Sequence, residues 1–351
     1  MAELAAGIGR PARRTLRLMD RRTLLSALPI AICLPPSARA QTTGRVYRLG
    51  VLAPGPAPLL SNAFIAAMGD RGYGSRNLVI DVRYTQGNPD LAESLARELV
   101  AERVDVIVTA VTATAMAAHR ATKVVPIVMY ISGYPVEGGL AQSLARPGGN
   151  VTGMTSYAGG GELFGKFVQL LRELRPSMRE LGVFWGYAPP SYSAAQVAPA
   201  TEELRQAARA LNVKVHFWQT GNDSDLGAAL SAAAIAPLDA LFVTAGVIHE
   251  LQGNATRIAR FIQERRLPTL TDFPGSVFAG GAVLSYSAEL KELASRTAHF
   301  VARILEGARP GDLPIEQPTK YELIVNLKAA KTIGLDIPPA LLSRADRTIN
   351  D

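Results

Sequence analysis

The chain has 351 residues, 48% of them hydrophobic and 19% charged, which is too long for one ordinary domain and too apolar for a disordered polymer. Its formal net charge of +7 is concentrated at the front: residues 1–40 hold seven Arg against Glu3 and Asp20, leaving +2 from Gln41 onward. No basic face is required by that balance, and nucleic-acid binding loses its main support.

The first element is a targeting segment. Arg21 and Arg22 lead into the apolar run Leu24 to Leu34, and the small-residue site Ala38-Arg39-Ala40 follows before Gln41, so residues 1–40 read as a cleaved export signal. The run is about half the roughly 20 residues a membrane span needs, and Pro29 interrupts it, which argues against a permanent anchor. The arginine pair suits the twin-arginine route and the general secretory route alike, and Met19 just before it is an alternative start. The single cysteine, Cys33, falls inside this segment behind Ile32, not behind the small residue a lipid anchor prefers. The mature chain is therefore expected to have no thiol for a disulfide, a nucleophile or a metal, and to be periplasmic.

From Arg45 short apolar runs alternate with amphipathic stretches. Val46 to Leu52, Leu78 to Tyr84, Val104 to Thr109 and Ile127 to Ile131 read as strands, and Asn62 to Arg71, Asp90 to Glu102, Ala113 to Thr122 and Gly139 to Ala145 as helices. The strands are too uniformly apolar to have a wet face, as in a parallel sheet covered on both sides. Arg146-Pro147-Gly148-Gly149-Asn150 and Gly159-Gly160-Gly161 break the pattern. It restarts with strands near Leu181 to Trp185, Val213 to Trp218, Ala240 to Val243 and Pro268 to Thr271, separated by helices such as Glu162 to Leu174 and Thr201 to Leu211. The expected fold is α/β: two doubly wound parallel-sheet lobes joined by a hinge. The first lobe spans 46–157 and is rejoined by about 280–310; the second spans 158–279 and is rejoined by the tail 318–351.

Four segments carry a resemblance. Arg48-Leu49-Gly50-Val51-Leu52, Ser143 through Gly153 (SLARPGGNVTG), Gly280 through Tyr286 (GGAVLSY) and Gln317 through Lys331 (QPTKYELIVNLKAAK) occur in the order and spacing of the ABC-transporter substrate-binding proteins that include tryptophan- and tyrosine-type members. The chain resembles that family over nearly all of its mature length. The resemblance implies a type I periplasmic-binding-protein fold, a small-molecule solute enclosed between the lobes and a membrane permease as partner; a monomer is expected, since a solute receptor must close around a hinge and dock one per transporter, and neither a cofactor nor nucleic acid is expected.

Doubly wound sheets place ligands beyond the carboxyl ends of their strands, where helix N-termini face the opening. Thr109, Thr112, Ala113 and Thr114 end a strand and open a helix, offering hydroxyls and N–H groups to an anionic group; relatives have a carboxylate cradle in the matching loop, while Thr112 as a plain helix cap is the other reading. Further candidates at the same edge are Ser61, Ser132, Tyr134, Trp185, Tyr187, Thr244, Gly246, Asp272 and Phe273, the aromatics for stacking and the hydroxyls for orientation. Ordinary core packing is the alternative for each ring. The chain departs from many relatives in having Ser132-Gly133-Tyr134-Pro135 for a Ser-Asp-Pro motif, and Gly186-Tyr187 and Ala245-Gly246 for Asn-Pro and Asp-Pro pairs. Those losses put an α-amino-acid ligand in doubt, with Asp272 either a replacement carboxylate or a cap for the turn at Pro274.

An enzyme is not expected. His119, His216, His249 and His299 lie in separate elements without metal-ligand spacing, and there is no Gly-x-Ser-x-Gly elbow. Gly160 to Lys166 matches a phosphate-loop spacing, but Phe167 stands where Ser or Thr would hold Mg²⁺. A ligand sensor for a membrane receptor is the nearer alternative to a transport protein, and an enzyme on the same fold the more distant one. A repressor would need a DNA-binding headpiece where the export signal stands.

Overall fold

The computed structural model describes residues 44–55, 61–88, 90–157, 162–187 and 193–350. The expected export segment, part of the loop expected over Pro54 to Asn62, and Gly160, the first glycine of the phosphate-loop spacing, lie outside the described residues; the second, Gly165, lies within a helix.

Residues 45–351 carry two sheets. The first holds β1 (Tyr47–Ala53), β2 (Leu78–Tyr84), β3 (Val106–Thr109), β4 (Ile127–Gly133) and β5 (Val151–Tyr157), all parallel, in the order β2-β1-β3-β4-β5. The helices between them are α1 (Asn62–Gly69), α2 (Asp90–Ala101) and α3 (Thr112–Ala121). In α2 the buried residues Ala92, Ala96 and Leu99 recur at helical spacing, and Asp90 and Glu93 occupy the first turn where the helix dipole favours them. Leu52, Ile107, Ile127 and Met129 bury one sheet face against α2 and α3. Leu49, Val51, Val106 and Val108 bury the other.

The second sheet begins after α4 (Glu162–Leu174). It holds β6 (Glu180–Trp185), β7 (Lys214–Gln219), β8 (Ala240–Val243), β9 (Thr269–Thr271), β10 (Leu284–Ala288), β11 (Tyr321–Asn326) and β12 (Arg347–Ile349), in the order β12-β11-β10-β9-β8-β6-β7. Parallel pairing runs from β7 to β10; β11 is antiparallel to β10, and β12 is parallel to β11. The connecting helices are α5 (Ala194–Ala210), α6 (Asp223–Ile235), α7 (Val247–Glu250), α8 (Gln252–Arg265) and α9 (Ser276–Gly280), and the later ones are α10 (Leu290–Leu305), α11 (Leu327–Ile333) and α12 (Pro339–Leu342). On α4, Phe164, Phe167, Val168, Leu171 and Leu174 form one apolar stripe into this lobe's core.

Two expectations need correction. The stretch 280–310 divides between the lobes: Ala282, Val283 and Leu284 are wholly buried in the second core and β10 pairs with β9 and β11, while α10 packs its Leu293, Phe300 and Val301 against the first sheet. The chain therefore crosses between the sheets three times, after β5, between β10 and α10, and between Glu316 and β11. Residues 139–145 are turns, not a helix. The Leu140 N–H donates to the Pro135 carbonyl and that of Gln142 to Pro147, closing the segment onto the prolines at either end.

After α10, residues 313–316 run along the outer edge of β5. Thr152 Oγ1 donates to the Leu313 carbonyl, and the Thr155 and Glu316 N–H groups donate to Glu316 and Gly153 respectively, so the edge of the first sheet is covered.

Candidate functional site

The carboxyl ends of the two sheets face each other across a cavity of about 590 Å³. The first lobe lines it with Ala110, Val111 and Ala113 at the start of α3 and with Tyr130, Ile131, Gly133 and Tyr134 at the end of β4, and the second with Trp185 to Tyr187, Ala245, Gly246 and the loop Asp272 to Ser276. Tyr286, Ser287, Ala288 and Tyr321 close the side where the chain crosses between the sheets.

Of the residues expected at the site, Ala113, Tyr134, Trp185, Tyr187, Gly246, Asp272 and Phe273 meet in this cavity. Ser61, Thr109, Thr112, Thr114, Ser132 and Thr244 are not in its lining. Their hydroxyls are held behind the surface. Thr112 Oγ1 accepts the Gly133 N–H at 2.8 Å and so ties α3 to β4; it is not the helix cap, since the capping position is Val111. Thr114 Oγ1 accepts the Val111 N–H at 3.2 Å and donates to the Val111 carbonyl at 2.8 Å, closing the first turn locally. Thr244 Oγ1 accepts the Gly186 N–H at 2.8 Å. Thr109, Ser132 and Ser61 have buried hydroxyls with no partner among the described residues.

Asp272 is the one charged side chain in the lining among the described residues. Its Oδ1 accepts the Ala245 N–H at 2.6 Å and its Oδ2 accepts the Tyr187 hydroxyl at 2.9 Å. Trp185 Nε1 in turn donates to the Tyr187 carbonyl at 2.8 Å, and the two rings meet edge to face at 5.6 Å. Tryptophan, tyrosine and carboxylate thus hold one another in place at the end of β6 and β9. The Asp272 carboxylate reaches across to the loops after β8 and β6.

Gly186 and Gly246, which stand in the places of the Asn-Pro and Asp-Pro pairs, meet one another. A Cβ on Gly186 would stand 2.5 Å from the Gly246 Cα and 2.9 Å from His249 Cε1, and one on Gly246 would stand 2.5 Å from the Gly186 Cα. The loops after β6 and β8 thus touch through bare backbone, and neither glycine can take a side chain unless the loops separate. His249 lies directly behind this contact, wholly buried. Its Nδ1–H donates to the Thr244 carbonyl at 2.7 Å and its Nε2 accepts from the Thr220 hydroxyl at 2.7 Å. Burial pushes its pKa down to about 4, against the opposing pull of the Thr244 carbonyl, so the ring is neutral at pH 7.

The lobes also touch one another around the cavity. Tyr134, whose backbone is left-handed at φ 51°, donates its hydroxyl to Glu203 Oε2 on α5 at 3.1 Å. Gln196 Nε2, also on α5, donates to the Gly133 carbonyl at 3.3 Å. Burial, and then the charge of Glu203, raise the Tyr134 pKa. On the opposite rim the Gly87 backbone approaches Leu251 so closely that a Cβ would stand 2.7 Å from the leucine Cδ2.

Sequence reasoning missed Tyr130, Phe164, Phe167, Gln196, Tyr286 and Tyr321. Phe164 and Phe167 belong to an apolar helix stripe that reads as core, and they serve as both. Tyr286 and Tyr321 sit in strands whose placement depended on the crossings. Their rings stack at 5.5 Å and 20°, with Phe167 edge-on to Tyr286 at 6.2 Å. Among the described residues no group of three or more His, Cys, Asp or Glu could hold a metal ion, and no helix is long and apolar enough to cross a membrane.

Comparison with known proteins agrees with this architecture. The chain is 28% identical over 273 residues to the tyrosine-binding protein of Clostridioides difficile, an alignment covering 78% of this chain and 75% of that protein. It superposes on the crystal structure of a conserved domain protein from Vibrio cholerae with a TM-score of 0.77 and 28% identity, covering 87% of this chain and 100% of that one. A Streptococcus pneumonia domain solved in complex with L-Trp shares the fold at a TM-score of 0.75 and 22% identity, covering 87% and 100% respectively. A sequence profile described as ABC transporter substrate binding protein matches residues 57–349, and the chain belongs to that family.

Proposed function

We propose that this protein is the extracytoplasmic receptor of an ABC-type uptake system, that it captures an amine-bearing aromatic solute between its lobes, and that it releases the solute unchanged to a membrane permease. The observation that carries this reading is the carboxylate of Asp272, the one charged side chain of the lining among the described residues, set among Trp185, Tyr187 and Phe273 in a cavity bounded by both lobes. A ligand ammonium pairs with Asp272 on the second lobe. A carboxylate, where the ligand has one, meets the N–H groups of the first turn of α3, at the positive end of its dipole, on the first lobe. An aromatic amino acid satisfies both ends, and the relative named for tyrosine binding points the same way.

Function then follows from a conformational equilibrium. The three crossings act as the hinge, an open form admits solute, and only a ligand touching both lobes favours closure, which the permease reads. The contacts Tyr134–Glu203, Gln196–Gly133 and Gly87–Leu251 belong to the closed form. The residues around Asp272 serve recognition.

Thermal-shift screening of the purified protein against amino acids, aromatic amines, aromatic acids, nucleobases and sugars, with mass spectrometry of each hit after incubation, tests the proposal. A ligand at one hundred times its Kd adds about 2.7 kcal/mol of stability. Stabilisation by aromatic amines or amino acids recovered unchanged is the expected result; conversion of a hit, or stabilisation by sugars alone, overturns it.

A further inference from the structure

The cavity is larger and longer than one aromatic amino acid. Its wall on the second lobe runs from Tyr321 on β11 through Tyr286 on β10, Asp272 after β9 and Gly246 after β8 to Tyr187 after β6, five successive strands of one sheet. Adjacent strands lie about 4.8 Å apart, so this wall is roughly 19 Å long. The volume of about 590 Å³ is that of roughly 20 waters at ~30 Å³ each. Bonded atoms pack more closely than waters, and a free aromatic amino acid of about 13 to 15 non-hydrogen atoms would leave a large part of the space to solvent. That remainder is poorly suited to water, because its walls are mainly rings and aliphatic side chains.

The position of the charge is informative. Asp272 stands in the middle of the slot, not at one end: the stacked Tyr286 and Tyr321 with Phe167 lie on the side of the crossings, and Tyr187 with Trp185 on the side of β6. Each flank is an aromatic subsite, and one ring cannot occupy both. We infer that the ligand is of dipeptide size, an amine-bearing compound with two aromatic or bulky apolar units that flank the Asp272 carboxylate. This deepens the proposed function and rests on the cavity being the solute site.

Isothermal titration of the purified protein with tyrosine, phenylalanine and tryptophan, and with the dipeptides Phe-Tyr, Tyr-Phe and Trp-Phe, decides the matter. The expected result is that at least one dipeptide binds tenfold or more tightly than any single amino acid. Tyr286→Ala and Tyr321→Ala, each checked for a native circular-dichroism spectrum, are then expected to weaken the dipeptide about tenfold, a larger factor than for any single amino acid. Single amino acids binding as tightly as every dipeptide overturns the inference and leaves the proposed function standing. Binding of neither set overturns both.

Discussion

The Tyr187 hydroxyl and the Asp272 carboxylate, 2.9 Å apart, join the loop after β6 to the loop after β9 across the intervening β8. With the Ala245 N–H on its other oxygen, the carboxylate is oriented by two uncharged donors. It is therefore a preorganised partner for a cation.

Asp272→Asn tests that role with little disturbance of the fold, because the amide oxygen can still accept from Ala245. Loss of a charge-assisted hydrogen bond costs about 2 kcal/mol, or roughly 30-fold in Kd for an amine-bearing ligand. The expected outcome in titration calorimetry is that loss together with a melting temperature within a few degrees of the parent. Unchanged affinity for amines would remove Asp272 from the recognition site.

Tyr134→Phe keeps the buried ring and deletes the hydroxyl that reaches Glu203 on the other lobe. The contact exists only when the lobes are together, so its loss of about 1 kcal/mol is expected to lower the closed population and weaken apparent ligand binding about fivefold. Small-angle scattering of the unliganded protein should show a larger radius of gyration for the variant. Equal affinity and equal radius would mean that this hydrogen bond does not bias closure.

Much of the fold was legible because buried parallel strands declare themselves: Val106 to Thr109 and Leu181 to Trp185 admit no polar face, and the helix stripes between them repeat at helical spacing. Segments 280–310 and 139–145 were harder, since Val283 and Leu284 suit the core of either lobe, and the run LAQSLA over 140–145 has helix-forming residues whose ends are closed onto Pro135 and Pro147. At the site, the aromatic and acidic candidates in loops were legible from position alone. The hydroxyls were not. A Thr or Ser at a strand end satisfies a neighbouring backbone group as readily as a ligand, and which of these Thr112 and Thr244 do depends on distances of tenths of an ångström. Tyr286 and Tyr321 were invisible for a different reason, because strand alternation gives two faces and only the crossings decide which one meets the cavity.

His249 predicts a dependence of stability on pH. Its pKa falls from an ordinary 6.5 to about 4 in the folded chain, so the unfolded chain binds a proton that the native state refuses between those values. Its contribution is complete above pH 6.5 and is lost as pH falls towards 4. At 1.36 kcal/mol per unit, the full loss is roughly 3 kcal/mol. His249→Asn keeps an N–H able to reach the Thr244 carbonyl and removes the titration. The variant should be less stable than the parent at pH 7.5, and the difference between them should narrow by pH 4.5 in denaturant unfolding. A difference independent of pH would show that the ring is not buried in its neutral form.

Gly186→Ala places a methyl where the loops after β6 and β8 now touch. The nearest obstacle, the Gly246 Cα at 2.5 Å, is backbone and cannot rotate away, and the His249 ring stands behind it at 2.9 Å. Overpacking of this kind costs about 1–3 kcal/mol. Relief requires the two loops to separate, and since Tyr187 and Ala245 are the next residues, their donors would move off Asp272 together. The expected result is therefore a joint loss: a melting temperature several degrees lower and an affinity for amine-bearing ligands reduced tenfold or more. Ala245→Gly lies beside the same contact but adds no atom, and it should leave affinity within about threefold. Stability lost in Gly186→Ala with affinity intact would mean that the close approach of these loops supports the fold alone and does not set the position of the Asp272 carboxylate.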